Sequence, residues 1–401
     1  MQRRENTLSA PVYFYLSNFY FWFFALLGGL APYWSLYLES VGFSHLEIGQ
    51  LLSILMITKV LAPNLWSWLG DRSNRRLGLV RWGAFLGCAC FGLFFVSSGF
   101  WSFALVMLSF SFFWNAILPQ YEVITLFNLK NDKNRYGHIR LWGSIGFILA
   151  VFLLGALLDY TPITLLPICL FIILSVIWVS TLAPVQEPRH RERHSLSGLI
   201  GILRSKVVIA FFVANLLLQV SHGAYYTFFS IYMESYGYSK TAIGLLWAEG
   251  VIAEVILFLL VPILFARYTL RIMMIAALVI TTLRWLLTGW MGGSLPLIIV
   301  AQLGHAASFG LMHVVAIYFV HRAFMGVHEG QGQALYSAAS FGAGGAIGAL
   351  MSGYLATTFS LAAMFLVSAL VAMLALSVAW SGFSPSFSAM DEPQKQSLST
   401  I

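Results

Sequence analysis

Residues 33–52 read YWSLYLESVGFSHLEIGQLL, and residues 228–247 read FFSIYMESYGYSKTAIGLLW. The two stretches align without a gap. Ser35/Ser230, Tyr37/Tyr232, Glu39/Glu234, Ser40/Ser235, Gly42/Gly237, Ser44/Ser239, Ile48/Ile243 and Gly49/Gly244 are identical pairs at one fixed offset. Each stretch carries an apolar run into a short break at a glycine and out into a second apolar run. The chain therefore contains a parallel repeat, the pattern of membrane proteins built as two halves that rock about a midplane site.

Composition agrees with a membrane setting. Of 401 residues, 59% are hydrophobic and 9% charged, against about 25% charged in a soluble chain, so most of the exterior must face something other than water. Thirteen Trp and 33 Phe suit lipid-facing helices and interfacial belts. A run of roughly 20 apolar residues crosses the hydrocarbon core, and backbone polar groups in lipid must be satisfied within the helix. Twelve such spans are expected, near 12–38, 45–69, 77–98, 101–127, 139–158, 162–183, 207–233, 240–265, 271–291, 295–322, 331–356 and 361–383. The first follows Met1-Gln2-Arg3-Arg4 but is too long for the core of a signal peptide.

The formal charge of +7 does not imply a nucleic-acid partner, because the cations sit in short loops between spans. Arg3 and Arg4 precede span one; Arg72, Arg75, Arg76 and Arg81 follow span two. Lys130, Lys133 and Arg135 follow span four; Arg189, Arg191, Arg193, Arg204 and Lys206 follow span six. Arg267 and Arg271 follow span eight, Arg322 ends span ten, and Lys395 lies in the tail, whereas the other side carries Lys240. The positive-inside rule then places both termini in the cytoplasm, and an even span count agrees. Residues 184–206, PVQEPRHRERHSLSGLIGILRSK, form the longest polar interruption. The expected architecture is all-α and polytopic: two pseudo-symmetric six-helix bundles, 1–183 and 207–401, joined by a cytoplasmic linker, 184–206.

Gly344, Gly345, Gly348, Ala349 and Gly353 in span eleven have the small-residue spacing that lets helix backbones approach. Cys88, Cys90 and Cys169 lie inside apolar segments and read as packing residues rather than a disulfide or metal site.

After span two, Gly70-Asp71-Arg72-Ser73-Asn74-Arg75-Arg76 resembles the gating loop of the major facilitator superfamily, with Ser67 where a glycine is usual. Arg140-Leu-Trp-Gly-Ser-Ile-Gly-Phe147, His222-Gly-Ala-Tyr-Tyr226, Ala253-Glu254-Val255, Arg284-Trp285 and Gln302-Leu-Gly-His305 are similar, in order and spacing, to the phenylpropionate permease family, relatives of lactose permease. The resemblance covers nearly the whole chain. It implies a gating loop at Asp71, Arg72, Arg75 and Arg76. The loop after span eight, with Arg267 and Arg271, has no matching aspartate.

An ionisable side chain inside a membrane span is costly and is by default a functional candidate; the alternative is an ion pair that only fixes packing. By the resemblance, Glu122 and Arg140 match the substrate-holding pair of lactose permease, and a guanidinium offers forked donors to a carboxylate. Lys59, with Asn115, His222 and Tyr226, completes the candidate substrate set. Lys59 has three open placements: snorkelling to the interface, a salt bridge to Glu122, or a positive surplus that suits an anionic solute.

In the second half, Glu254 is the expected proton carrier, since a carboxyl shielded from water loads and releases protons near neutral pH. Arg284 would modulate it by approaching and withdrawing, or else form a static pair with it. Glu249 lies about 140° away on the same helix. Gln302, His305, Phe309 and His313 fall within about an 80° arc of span ten; His305, which matches lactose permease's functional histidine, is a candidate relay, and His313 reads as a packing residue. Ser308 stands where that permease has its essential glutamate, which points away from lactose-type recognition and toward the phenylpropionate branch.

No phosphate-cradling Gly-x-x-x-x-Gly-Lys-Ser/Thr loop is present, and no nucleophile–base set or metal cluster stands out. The chain is therefore expected to be a transporter rather than an enzyme, without cofactor, driven by the proton gradient. It would reside in the inner membrane as a monomer whose partners are protons, lipid and a small organic solute. The favoured reading is proton-coupled uptake of an organic, aromatic acid by alternating access. A sugar or nucleoside symporter shares the scaffold. A proton antiporter would carry a Gly-Pro signature that span five lacks, and a receptor would need a signalling domain.

Overall fold

A continuous helix satisfies its own backbone hydrogen bonds and is the economical way to cross lipid; the structure consists of such helices. The computed structural model describes residues 9–73, 75–129, 135–188 and 199–383. Arg3, Arg4, Lys130, Lys133, Arg189, Arg191, Arg193, Lys395 and most of the expected linker lie outside them. Among the described residues, twelve helices are long and apolar enough to span a membrane: α1 Ala10–Ser40, α2 His45–Ser73, α3 Arg76–Val96, α4 Gly99–Leu129, α5 Arg135–Tyr160, α6 Ile163–Thr181, α7 Lys206–Ser235, α8 Lys240–Arg267, α9 Leu270–Trp290, α10 Leu295–Ala323, α11 Glu329–Thr358 and α12 Leu361–Gly382. Several run two to four residues beyond the apolar stretch at one end or both, because a polar terminal turn sustains a helix that hydropathy does not register. A short helix, Leu199–Leu203, lies between α6 and α7.

The repeated sequence folds the same way twice. Gly42 and Gly237 take φ of 95° and 84°, the left-handed region that a Cβ disfavours. In both turns the serine before the break hydrogen-bonds back: Ser40 Oγ donates to the Tyr37 carbonyl at 2.8 Å and Ser235 Oγ to the Tyr232 carbonyl at 2.7 Å. The carbonyls of Ser44 and Ser239 each accept the N–H four residues on, at 2.9 Å.

The described residues group into two compact units. Those up to Arg193, together with Gly237–Ala248, form the first; those of His194–Tyr236 and Glu249–Ile401 form the second. In the first unit, α1 packs on α5 and α6, α4 on α2 and α3, and α3 on α6. In the second unit α7 packs on α11 and α12, and α9 on α10 and α12.

The opening turns of α8 belong to the first unit. Asp159, at the end of α5, accepts the backbone N–H groups of Lys240 at 2.7 Å and Thr241 at 3.1 Å, and the Thr241 hydroxyl at 2.5 Å. A carboxylate there satisfies orphan donors and faces the positive end of the helix dipole. Sequence reading passed over Asp159 because an acid at the end of a span reads as solvated.

The small residues of α11 do what their spacing suggests. A Cβ on Gly348 would lie 2.5 Å from the Val220 carbonyl oxygen and 2.9 Å from Gly223 Cα, so α7 and α11 meet backbone to backbone. The three cysteines are free, and Cys88 Sγ sits 3.4 Å from Ser175 Oγ. Two π-helical segments, Ala306–Leu311 in α10 and Ala338–Gly344 in α11, were not legible in the sequence. Segments of this kind occur often at functional sites.

Candidate functional site

Two clusters of polar side chains lie inside the spans, one in each unit.

In the first unit, α5 presents Tyr136 and Arg140, four residues and about one turn apart, toward Glu122 of α4. The Tyr136 hydroxyl donates to Glu122 Oε1 at 3.2 Å. Arg140 Nη1 stands 3.8 Å from the same oxygen, a loose ion pair beyond hydrogen-bond range. Its guanidinium lies over the Phe24 ring at 4.3 Å and 5.6 Å from the centre of Tyr20, where ring quadrupoles favour a cation. Arg140 Nη1 is buried and makes no hydrogen bond, although the two side chains keep 37% and 32% of their surface exposed. The expected Glu122–Arg140 pair is thus brought together but not closed. Tyr136 was missed; a tyrosine one turn before the arginine was its only sequence signal.

Lys59 is half-buried on the same stripe of α2 as the buried Leu52, Leu55, Ala62 and Trp66, at helical spacing. It does not bridge to Glu122, whose partners are Tyr136 and Arg140. Asn115 is tied elsewhere than to a solute: its amide nitrogen donates to the Leu55 carbonyl at 3.0 Å and to Thr58 Oγ1 at 2.8 Å, joining α4 to α2.

The residues expected to form a gating loop lie in a structured corner. Arg76, only 4% exposed, pairs with Asp71 and donates to Gln120 Oε1 at 2.5 Å. Gln120 donates in turn to Ser67 Oγ at 2.9 Å. That bond gives the unusual Ser67 its role, and Gln120 is the partner sequence reading overlooked. Arg72 lies over Trp68 at 5.5 Å, and Arg75 caps the start of α3 from an exposed position.

In the second unit, Glu254 Oε1 meets His305 Nε2 at 2.7 Å, with side chains 12% and 7% exposed. Two glycines make room: a Cβ on Gly250 would approach His305 Cδ2 to 3.2 Å, and one on Gly310 would approach Glu254 Cγ to 3.3 Å. The static Glu254–Arg284 pair open to sequence reading is not formed. Arg284, 2% exposed, donates instead to Ser308 Oγ at 3.0 Å and Gln302 Oε1 at 3.1 Å. It is sandwiched by Tyr225 at 4.3 Å and Trp285 at 4.4 Å. The π-helical segment after His305 sets which side chains of α10 face α9, and it places Ser308 where Arg284 reaches it.

His222 is wholly buried. Its Nδ1 donates to the Leu218 carbonyl at 2.9 Å, which leaves Nε2 as the acceptor of the neutral ring, 3.4 Å from Ser308 Oγ. His222, expected in the substrate set, is thus buried against Ser308. Tyr226 is half-buried, stacked on His222 at 6.0 Å and edge-on to Phe309 at 6.5 Å. His305, Phe309 and His313 stack nearly parallel along α10, at 5.5 and 6.2 Å; His313 also packs on Tyr336 and Phe341. Glu249 lies half-buried on another side of α8. No group of His, Cys, Asp or Glu among the described residues is arranged to hold a metal ion.

Known proteins place this arrangement. Residues 13–367 match the model of the MFS_1 like family. The chain is 31% identical over 364 residues to the "Probable 3-phenylpropionic acid transporter" of Escherichia coli (strain K12), covering 89% of this chain and 94% of that protein. It is 27% identical over 356 residues to the "Maltose permease" of Geobacillus stearothermophilus, covering 87% and 89%. The fold matches the crystal structure of nucleoside transporter NupG (D323A mutant) with a TM-score of 0.84 at 18% identity, over 93% of this chain and 100% of that one. Twelve apolar spans, a parallel repeat and a match over most of its length identify the chain as a multi-pass membrane transporter of the major facilitator type, a member of the MFS_1 like family.

Proposed function

We propose that the chain is a proton-coupled symporter for an organic acid, specifically an aryl-substituted carboxylate such as 3-phenylpropionate, working by alternating access. It would reside in the inner membrane with both termini in the cytoplasm, an orientation that the cation distribution of the loops supports. The observation that carries the reading is Arg140. Its buried Nη1 lacks a hydrogen bond, and its carboxylate neighbour among the described residues, Glu122, stands 3.8 Å away. A guanidinium in a low-dielectric setting with an unused donor gains most from a carboxylate ligand, and the aromatic rings beside it suit an aryl group. The Glu254–His305 pair supports proton coupling, because two groups that share one hydrogen bond away from water take up and release a proton as a unit. The naming of the E. coli relative agrees with the substrate class.

The decisive measurement is uptake of labelled 3-phenylpropionate by proteoliposomes under an imposed inward proton gradient. The expected result is accumulation that collapses with a protonophore. Uptake of the acid that ignores the gradient removes the coupling; absence of uptake removes the substrate class.

A sugar or nucleoside symporter is the second reading, favoured by the similarity to a maltose permease. Labelled maltose or nucleoside decides it: gradient-driven uptake of that label, undiminished by an excess of aryl acid, would establish the second reading.

A further inference from the structure

Glu122 Oε1 is approached by two donors from the same face of α5. One is the Tyr136 hydroxyl, at hydrogen-bond distance, 3.2 Å. The other is Arg140 Nη1, at 3.8 Å, which is outside that range. The stronger donor is therefore the more distant one, which inverts the order expected of a free carboxylate beside a guanidinium. The arginine is held back by ring faces, over Phe24 at 4.3 Å and beside Tyr20. Tyr20 is itself fixed by a hydrogen bond from its hydroxyl to Thr125 Oγ1 at 3.3 Å. Arg140 Nη1 is left buried with no hydrogen bond.

We infer that Tyr136 is a positioning residue that retains Glu122 and so keeps Arg140 open for the carboxylate of the substrate. The inference rests on the reading that Arg140 binds that carboxylate. Glu122 and the substrate are then two anions competing for one guanidinium. The phenol biases the competition by offering Glu122 another partner at a distance where the arginine does not follow. Without the phenol proton, Glu122 has Arg140 as its remaining partner, and the pair closes against the substrate.

The test is a double-mutant cycle on the full chain, purified in detergent and reconstituted, with labelled 3-phenylpropionate as the probe. Binding and the KM and maximal rate of uptake are measured for the wild type, Tyr136→Phe, Glu122→Gln and the double variant. Tyr136→Phe is expected to weaken binding about tenfold, the size of one hydrogen bond to a charged group, through KM and not through maximal rate. In the Glu122→Gln background, where no anion competes, the same substitution is expected to change affinity less than about twofold, since uncoupled sites add. An equal loss in both backgrounds, or no loss in either, overturns the inference. Tyr136→His, which restores a donor, is expected to regain part of the affinity; the phenylalanine value at this position counts against the retained hydrogen bond. Failure of the wild type to bind the acid, or wild-type binding by Arg140→Ala, overturns the substrate reading beneath it. Loss of binding in Arg140→Ala with a silent Tyr136→Phe overturns the inference alone.

Discussion

Glu254 Oε1 lies 2.7 Å from His305 Nε2, one on α8 and the other immediately before the π-helical segment of α10. The acid and the imidazole share one short contact that joins α8 to α10.

Replacing Glu254 with Gln keeps the shape of the uncharged carboxyl but removes the titration. Solute counterflow is expected to stay within about twofold of wild type, since a carboxamide retains the hydrogen-bonding outline of a protonated acid. Accumulation against a gradient is expected to vanish. Wild-type affinity is expected to be highest at acidic pH and to fall as pH rises, whereas the variant's profile is expected to be flat. Concentrative uptake by Glu254→Gln would remove this residue as the carrier.

Ser308 Oγ accepts from Arg284, faces His222 Nε2 and donates to the His305 carbonyl at 3.3 Å. Alanine leaves a buried guanidinium donor and a buried imidazole nitrogen without it. A cost of about 1–3 kcal/mol follows for an unsatisfied buried polar group, and the apparent unfolding midpoint in detergent should drop by several degrees. Arg284→Lys should fall similarly, because an ammonium cannot reach Ser308 and Gln302 together while stacking between Tyr225 and Trp285. A melt indistinguishable from wild type for both variants would show that the network is not structural.

Two glycine substitutions should separate by mechanism. Gly42→Ala forces a Cβ into the left-handed region at φ 95° and should cost about 1–2 kcal/mol, leaving a folded protein. Gly348→Leu drives a side chain into the α7 backbone, where overpacking costs about 1–3 kcal/mol or more. Its yield of monodisperse protein is expected to collapse. Size-exclusion profiles of the two variants make the comparison.

Gln120→Leu removes a neutral partner of buried Arg76, which also pairs with Asp71. A hydrogen bond to a charged group is worth about 1.5–3 kcal/mol, so this variant should melt well below Ser67→Gly, which loses only the outer bond to Gln120. Equal melting of the two would contradict the assigned order of importance.

The spans, their number and the repeat were legible because apolar length and a glycine-centred turn are local properties. Gly42 and Gly237 announce their turns in four residues of sequence. The ion pairs were less legible, because pairing depends on helix rotation and on which helices are neighbours. Glu254 and Arg284 look complementary in sequence, yet His305 takes the carboxylate and Ser308 with Gln302 takes the arginine. The π-helical segment decides this outcome, and no composition signal marks it. Tyr136, Gln120 and Asp159 escaped notice for a related reason. Tyrosine, glutamine and a span-end aspartate are ordinary residues until a partner on another helix gives them a task.

The four residues between Ser40 and His45 also act as an indexing gear. A helix turns about 100° per residue, so a residue added to or deleted from this break must be absorbed by the turn or else rotate α2 as a body relative to α1. If α2 turned, Lys59, Leu55 and Ala62 would leave their present neighbours together, and the exposed Leu61 and Leu65 would take up new ones. The matching break between Ser235 and Lys240 has the same length, so both halves are cut to one gauge. Lineages of this protein should tolerate substitution in these breaks far more readily than a change in their length.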